Sequence, residues 1–485
     1  MRPFSILRRH FAGRFYSEGG YRDVLIIAVP LVFTTGSWAL QHFIDRMFLN
    51  WFSKEAMAAS MPAGSLNFTL VSLFMGTVSY VSTFIAQYYG SEQNRMVGPV
   101  LWQSLYISAI SGAIIMLFIP FSDAIFAFVG HAQQVQEYEA AYFTILCLGA
   151  MPLVASSAMS GFFSGTGRTW IILVSNFSAT AVNLVMDYLL IFGNFGFPRL
   201  GIEGAGVATV FASCVSLAVY AAVLFRPSYD ALFNTIRGWR FEPRLFRRLI
   251  RFGLPNGVQF FLDMLGITVF ILILGRLGTD SLAATNIAFN VNTIAFMPMI
   301  GLGITVSVLV GQYLGMNDPD RAEYSVYSGL HLAVAYMGAI ALVYLFAPDI
   351  FISLYGAGAD QERFRPTADL VRVLLRFVAF YCVFDSMNII FASAIKGAGD
   401  TRFVMYVIII LSLFCLVIPT AVLLYYFDMG IYAGWSVLTF YVAVTGIVFA
   451  ARFSGGRWKG MRVIEEPYAV IPPSMPEGPG GRTEV

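Results

Sequence analysis

The 485-residue sequence predicts an all-α integral membrane protein, with twelve transmembrane helices in two pseudo-symmetric six-helix bundles. Three observations predict it. Hydrophobic residues make up 58% of the chain and charged residues 12%, with a mean hydropathy of +0.72, where soluble domains carry roughly 25% charged residues. Apolar stretches of bilayer length recur along the whole chain. Short motifs of the first half return in the second at a near-constant offset.

A helix needs about 20 apolar residues to cross the hydrocarbon layer. Such stretches fall at 24–49, 57–89, 97–121, 135–164, 169–193, 201–225, 249–277, 281–313, 322–347, 367–396, 402–427 and 429–452. Several exceed the required length, so tilt or kinking is expected. Loop charge supports the count. Of the 30 Lys and Arg, 22 lie on one alternate set of loops and tails. Only Lys54, Arg199, Arg276, Arg363 and Arg365 lie on the other set, and Arg46, Arg372 and Arg376 fall inside spans. Basic loops stay on the cytoplasmic side. Both termini are therefore expected in the cytoplasm, and the plasma (inner) membrane is the expected location.

This reading divides the chain into an N-terminal segment (1–23), a first bundle (24–225), a basic linker (226–248), a second bundle (249–452) and a tail (453–485). Arg8-Arg9 is similar to a twin-arginine export signal. The apolar stretch after it is long, contains Pro30 and lacks a small-residue cleavage site, so it reads as a retained first span. The linker segment RGWRFEPRLFRRLIR is basic and amphipathic. It suits a helix lying on anionic inner-leaflet lipid, or a plain topology anchor. The Pro- and Gly-rich tail is expected to be disordered.

The repeat is specific. At an offset of 225, Pro30 aligns with Pro255, Ala58-Ala59 with Ala283-Ala284, and Gln87-Tyr88-x-Gly90 with Gln312-Tyr313-x-Gly315. At 232, Gly165-x-Gly167-x-Thr169 aligns with Gly397-x-Gly399-x-Thr401. Six spans per copy is an even number, so both copies share one orientation and their symmetry axis runs along the membrane normal. A substrate path is then expected between the bundles.

Four aspartates lie inside the spans: Asp45, Asp187, Asp263 and Asp385. A carboxylate in hydrocarbon costs roughly 2.5 kcal/mol or more, so it rarely persists there without a task. With a rise of 1.5 Å per residue, Asp45 lies about 30 Å into the first span and Asp187 also falls in the outer half. Asn183 precedes Asp187 by one helical turn and shares its face. Asp263 and Asp385 fall near the midplane, with Tyr381 one turn before Asp385. Carboxylates with an amide or a phenol at one level suit a small hard cation or an exchangeable proton. The bland alternative is an interfacial residue or an ion-pair partner, and Asp45 does abut Arg46. The aspartates ignore the repeat, because Asp45 maps to position 270 and Asp187 has no counterpart in span 11. The cysteines Cys147, Cys214, Cys382 and Cys415 show no CxxC spacing and read as buried small hydrophobes.

Over nearly its whole length the chain resembles the multidrug and toxic-compound extrusion (MATE) antiporters. The stretches that carry the resemblance are Leu254-Pro255 with acidic Asp263, GRLGTDSLAATNIAFNVNTIAFMPMIGLG, GQYLG, and Tyr381 to Asp385 running on to IKGAGDTR. In the first half they are SGTGRT, Asn183 and Asp187 with YLLIFGNFG, and GIEGAGVAT ending at Thr209. The resemblance implies two bundles forming a V and export of organic cations in exchange for Na+ or H+. It implies a cation site at Asp45, Asn183, Asp187 and Thr209, and another at Asp263, Tyr381 and Asp385. Asp263 stands where the family usually has glutamate, and this chain carries both sets.

Other classes fit less well. A lipid-linked saccharide flippase of related architecture would line its cavity with Arg or Lys to hold phosphates, whereas the deep charges here are acidic. An intramembrane enzyme would need a nucleophile–base pair or a metal motif such as HExxH, and the sequence has neither. The expected partners are small cationic or lipophilic substrates, Na+ or H+, and membrane lipids. No cofactor and no nucleic acid are expected, and the chain is expected to act as a monomer.

Overall fold

The computed structural model describes residues 13–356 and 361–465. Arg2, Arg8, Arg9, Arg482 and most of the tail expected to be disordered lie outside the described residues. With no water in hydrocarbon to satisfy backbone groups, spans close their hydrogen bonds internally as helices. Twelve follow one another: α1 (Tyr21–Phe52), α2 (Lys54–Gly90), α3 (Val97–Met116), the bent α4 (Gln133–Leu148 with Ala150–Gly165), α5 (Thr169–Phe192) and α6 (Ile202–Leu224). The second six are α7 (Pro243–Gly275), α8 (Thr279–Gly315), α9 (Pro319–Phe346), α10 (Gln361–Ala398), α11 (Thr401–Tyr425) and α12 (Ile431–Ser454). Eleven candidate spans are long and apolar enough on their own, and α4 makes a twelfth as a pair bent by 46°. The break falls at Gly149, where a Cβ would lie 2.3 Å from Val210 Cγ2, so α6 packs closely against the bend.

Two details differ from the sequence reading. The basic run expected to form a surface helix is instead the first turns of α7, which starts with Pro243 at its first position. The linker before it is strapped to α3: Trp102 Nε1 donates to Thr235 O at 2.7 Å, Gln103 Nε2 to Arg240 O at 3.1 Å, and Tyr106 Oη to Trp239 O. Trp239 and Phe241 stay exposed beside the exposed Arg240 and Arg244, which suits the headgroup layer. The cysteines are also not uniformly buried. Cys147 and Cys382 are, but Cys214 lies on an outer face of α6 and is exposed.

The repeat becomes physical at the seam between the halves. Helix α1 packs on α8, α7 on α2, and α2 on α8. Gln312 Nε2 donates to Gly165 O at 2.9 Å, and its repeat mate Gln87 donates from Nε2 to Gly397 O at 3.0 Å. Gly90 and Gly315 close the same crossing. A Cβ on Gly90 would stand 2.0 Å from Gln312 O, and one on Gly315 would stand 2.3 Å from Gln87 O. Two of the four repeated motif groups, Gln-Tyr-x-Gly and Gly-x-Gly-x-Thr, are thus reciprocal contacts across one pseudo-two-fold axis.

The described ends of the chain lie on one face, here called the terminal face. The hydrogen bonds joining the halves run from that face as far as Thr35, whose Oγ1 donates to Met297 O at 3.1 Å. Beyond this level Phe43 on α1 and Ile294 on α8 are each 66% exposed. The halves also meet through Phe68 of α2 and Phe260 of α7, whose rings lie edge-on across the seam with centroids 6.1 Å apart.

Candidate cation sites

In the first half the close approach of three helices builds the site. A Cβ on Gly204 of α6 would lie 2.7 Å from Leu190 C of α5, and one on Gly206 would lie 2.9 Å from Ile145 Cγ2 of α4. These contacts bring Thr209, Tyr142 and Asp187 toward α1, which packs on α5 and carries Asp45. The carboxyls of Asp45 and Asp187 face each other as direct electrostatic and side-chain neighbours. The Tyr142 phenol meets the Thr209 side chain and lies within electrostatic range of both aspartates. Thr209 Oγ1 itself donates back to Ala205 O at 3.0 Å.

Asp187 is 0% exposed and Asn183 is 1% exposed. Asp45 Oδ1, both carboxylate oxygens of Asp187, and both Oδ1 and Nδ2 of Asn183 are buried without a protein hydrogen-bond partner among the described residues. Buried polar groups are normally paired, and an unpaired buried carboxylate costs several kcal/mol in its charged form. Such a set of oxygens suits a small cation or a proton. His42 and Arg46 lie close to Asp45 on α1.

The second set is less compact than its sequence suggests. Asp385 is 7% exposed and Tyr381 3%, and the two are neighbours on one face of α10, with Asn388 beside the carboxyl. Asp263 is half-buried on α7, where Gln259 Nε2 donates to its Oδ2 at 3.2 Å. Its charged neighbour is Lys396 at the end of α10, while Tyr441 of α12 faces both Asp263 and Asp385.

Sequence reasoning missed Tyr142, Gln259, Lys396 and Tyr441. Gln259 lies one turn before Asp263, the same spacing that singled out Asn183 and Tyr381, so that signal was available. The two tyrosines carry no comparable signal among 24 in the chain. Lys396 had been counted as a loop charge, but α10 continues through Ala398 and carries it inside. The two halves also differ in α11, which contains a π-helical stretch, Ser412–Val417, beside α7; α5, its equivalent, is α-helical throughout. Such bulges recur at functional sites.

Two six-helix halves of membrane-length helices with buried acids define a polytopic membrane protein, and the family and relatives it matches make it a transporter. The family model MatE matches residues 30–189 and 255–439. The chain belongs to the MatE family. It is similar to the "Probable multidrug resistance protein NorM" of Thermotoga maritima, 22% identical over 91% of this chain and 94% of the relative. The protein of the same description from Bradyrhizobium diazoefficiens is 27% identical over 87% and 91%. Among solved structures, a MOP superfamily transporter from Pyrococcus furiosus superposes with a TM-score of 0.82 at 19% identity, covering 91% of this chain and 97% of that one. A MATE in the bent conformation gives 0.81 at 18% identity, covering 92% and 98%. At these identities the structural likeness speaks for the fold alone.

Proposed function

We propose that the protein exports lipophilic organic cations or drugs from the cytoplasm by alternating access, driven by Na+ or H+ entering from outside. The observation that carries this reading is the buried Asp45–Asp187 pair with its orphaned oxygens and the adjacent Asn183. A pair of facing carboxylates holds at least one positive ion or proton far more readily than it stays doubly charged. Charge on the terminal-face loops supports a cytoplasmic location for that face. On that orientation the hydrogen-bonded seam lies on the cytoplasmic side, which suits a state closed inward.

Cation binding at Asp45, Asn183, Asp187 and Thr209 neutralises the first half. Asp263, Tyr381 and Asp385 offer a second acidic set in the other half for the cationic substrate. An inward charge crossing ~100 mV releases about 2.3 kcal/mol, worth nearly fiftyfold in substrate gradient. The drug-resistance names of the relatives support the substrate class. The flippase alternative gains nothing from these comparisons, and the deep charges remain acidic.

The test is dye efflux from cells or proteoliposomes while the Na+ and H+ gradients are collapsed separately. Efflux of ethidium-like cations should stop when one of the two gradients is removed. Efflux unaffected by collapse of both would sink the antiport reading.

A further inference from the structure

We propose that the segment Met461–Glu465 is a latch: seated on Gln87, it holds the two halves together on the terminal face and makes Gln87 a positioning residue of the transport cycle. The inference rests on the reading that the halves move against each other, and it lies outside the region the family model matches, which ends at residue 439.

The chain is turned back for this purpose after α12. Gly456, at φ +70°, breaks the helix, and Trp458 stacks on Phe453 with ring centroids 4.8 Å apart and planes at 12°. Trp458 Nε1 also donates to Phe453 O at 2.9 Å, and the indole is 2% exposed. Lys459 Nζ pairs with Glu323 at 2.6 Å and Asp320 at 3.1 Å, pinning the turn to α9. The chain then runs extended across the seam.

Along that run each residue finds a seat. Arg462 Nη2 donates to Asn317 Oδ1 at 3.4 Å, and Glu465 pairs with Arg248 of α7 at 2.9 Å. Val463 is 0% exposed and Ile464 is 7% exposed, so both are packed and not merely lying on the surface. Val463 sits over Gly399, where a Cβ would come within 2.9 Å of Val463 Cγ1. These contacts all belong to the second half. One does not: Val463 N donates to Gln87 Oε1 at 2.8 Å, in a buried position.

This bond breaks the pseudo-symmetry. Gln87 and Gln312 make equivalent bonds to Gly397 and Gly165 across the seam. Among the described residues only Gln87 also uses its amide oxygen, and the oxygen's donor is the tail. Opening this face must separate Gln87 from Gly397 and also pull it off Val463. A buried hydrogen bond contributes roughly 1 kcal/mol, about a fivefold change in an equilibrium. The tail therefore biases the protein toward the state closed on this face.

The test is a comparison of repeat mates in the full-length protein. Glu92→Cys and Arg402→Cys, in a background with Cys214→Ser and Cys415→Ser, carry spin labels on the two halves, and the distance distribution gives the open fraction. Gln87→Leu should raise that fraction about fivefold more than Gln312→Leu. Val463→Pro, which removes the N–H donor of that bond, should raise it about fivefold beyond Val463→Ala, which keeps the donor and trims the packed side chain. In the Val463→Pro background the two leucine variants should become equal. Monodispersity in detergent checks folding of each variant. Equal shifts for Gln87→Leu and Gln312→Leu with Val463 intact would overturn the latch alone. One unchanging distance in every folded variant would overturn the moving-halves reading and the latch with it.

Discussion

Gly76 and Gly257 meet so closely at the seam that a Cβ on Gly76 would stand 2.7 Å from the Cα of Gly257. The repeat-related crossing is looser, with a Cβ on Gly301 standing 3.0 Å from Val32 N. The tight crossing is also stapled, because Asn256 Nδ2 donates to Gly76 O at 2.7 Å. One side of the pseudo-two-fold axis thus tolerates no side chain, and the other tolerates a small displacement.

Alanine at these positions should separate the two crossings. Overpacking a tight contact costs typically 1–3 kcal/mol, or about five- to a hundredfold in an equilibrium. Gly257→Ala, whose Cβ would stand 2.1 Å from Leu73 O, should force the halves apart and reduce efflux about tenfold or more. Gly301→Ala should cost less than about threefold. Efflux rates and thermal unfolding in detergent measure both. A Gly301→Ala defect as deep as that of Gly257→Ala would show that the seam is not asymmetric.

Asp187→Asn keeps the shape of the side chain and removes its charge. A hydrogen bond or ion contact to a charged group is worth about 1.5–3 kcal/mol, so efflux should fall roughly ten- to a hundredfold. Asp385→Asn should have a comparable effect through the other half. The measurement is dye efflux from proteoliposomes with an imposed ion gradient. If each variant leaves efflux intact, buried acids do not carry the coupling.

Much of this was legible in the sequence because membrane insertion is a local cost. An 18- to 20-residue apolar run reads as a span whatever it packs against, and an aspartate within it is conspicuous for the same reason. The Gln-Tyr-x-Gly and Gly-x-Gly repeats were legible as repeats, but their meaning as reciprocal clasps needed the fold. Tyr142 and Tyr441 were not legible, because a phenol in a bilayer span is ordinary and only packing decides which one meets a carboxylate. Lys396 was misread through its position next to the Gly397-Ala398-Gly399 turn. The helix runs two residues further than the charge suggested, and those residues take the lysine inside.

Tyr142→Phe removes one hydroxyl beside Asp45 and Asp187 and leaves the ring packing against Gly206 in place. Net loss of one hydrogen bond to the ion-binding set is worth about 1 kcal/mol, so the half-saturating concentration of the coupling ion should rise about fivefold. The maximal efflux rate at saturating ion should change little. Ion titration of initial efflux rates distinguishes the two quantities. A fall in maximal rate with an unchanged half-saturating concentration would assign Tyr142 a packing role only.

Lys396 joins chemistry and seam in a single turn of α10. Its ammonium is the charged neighbour of Asp263, and its backbone oxygen accepts a hydrogen bond from Tyr80 Oη of the opposite half at 2.7 Å. Lys396 and Asp263 make no ion pair among the described residues, so the lysine acts at longer range: its positive charge opposes binding of a cationic substrate near Asp263. Lys396→Met retains the length of the stem and its packing while removing the charge. The variant should bind a cationic dye several-fold more tightly, and efflux should slow because release now costs more; a factor of about five corresponds to roughly 1 kcal/mol. The gain must depend on Asp263, so Asp263→Asn with Lys396→Met should bind the dye no better than Asp263→Asn alone. Fluorescence anisotropy gives these affinities without transport. Tighter binding that survives in the double variant would place the lysine's influence elsewhere, and unchanged binding in the single variant would leave Lys396 as a structural residue of the seam.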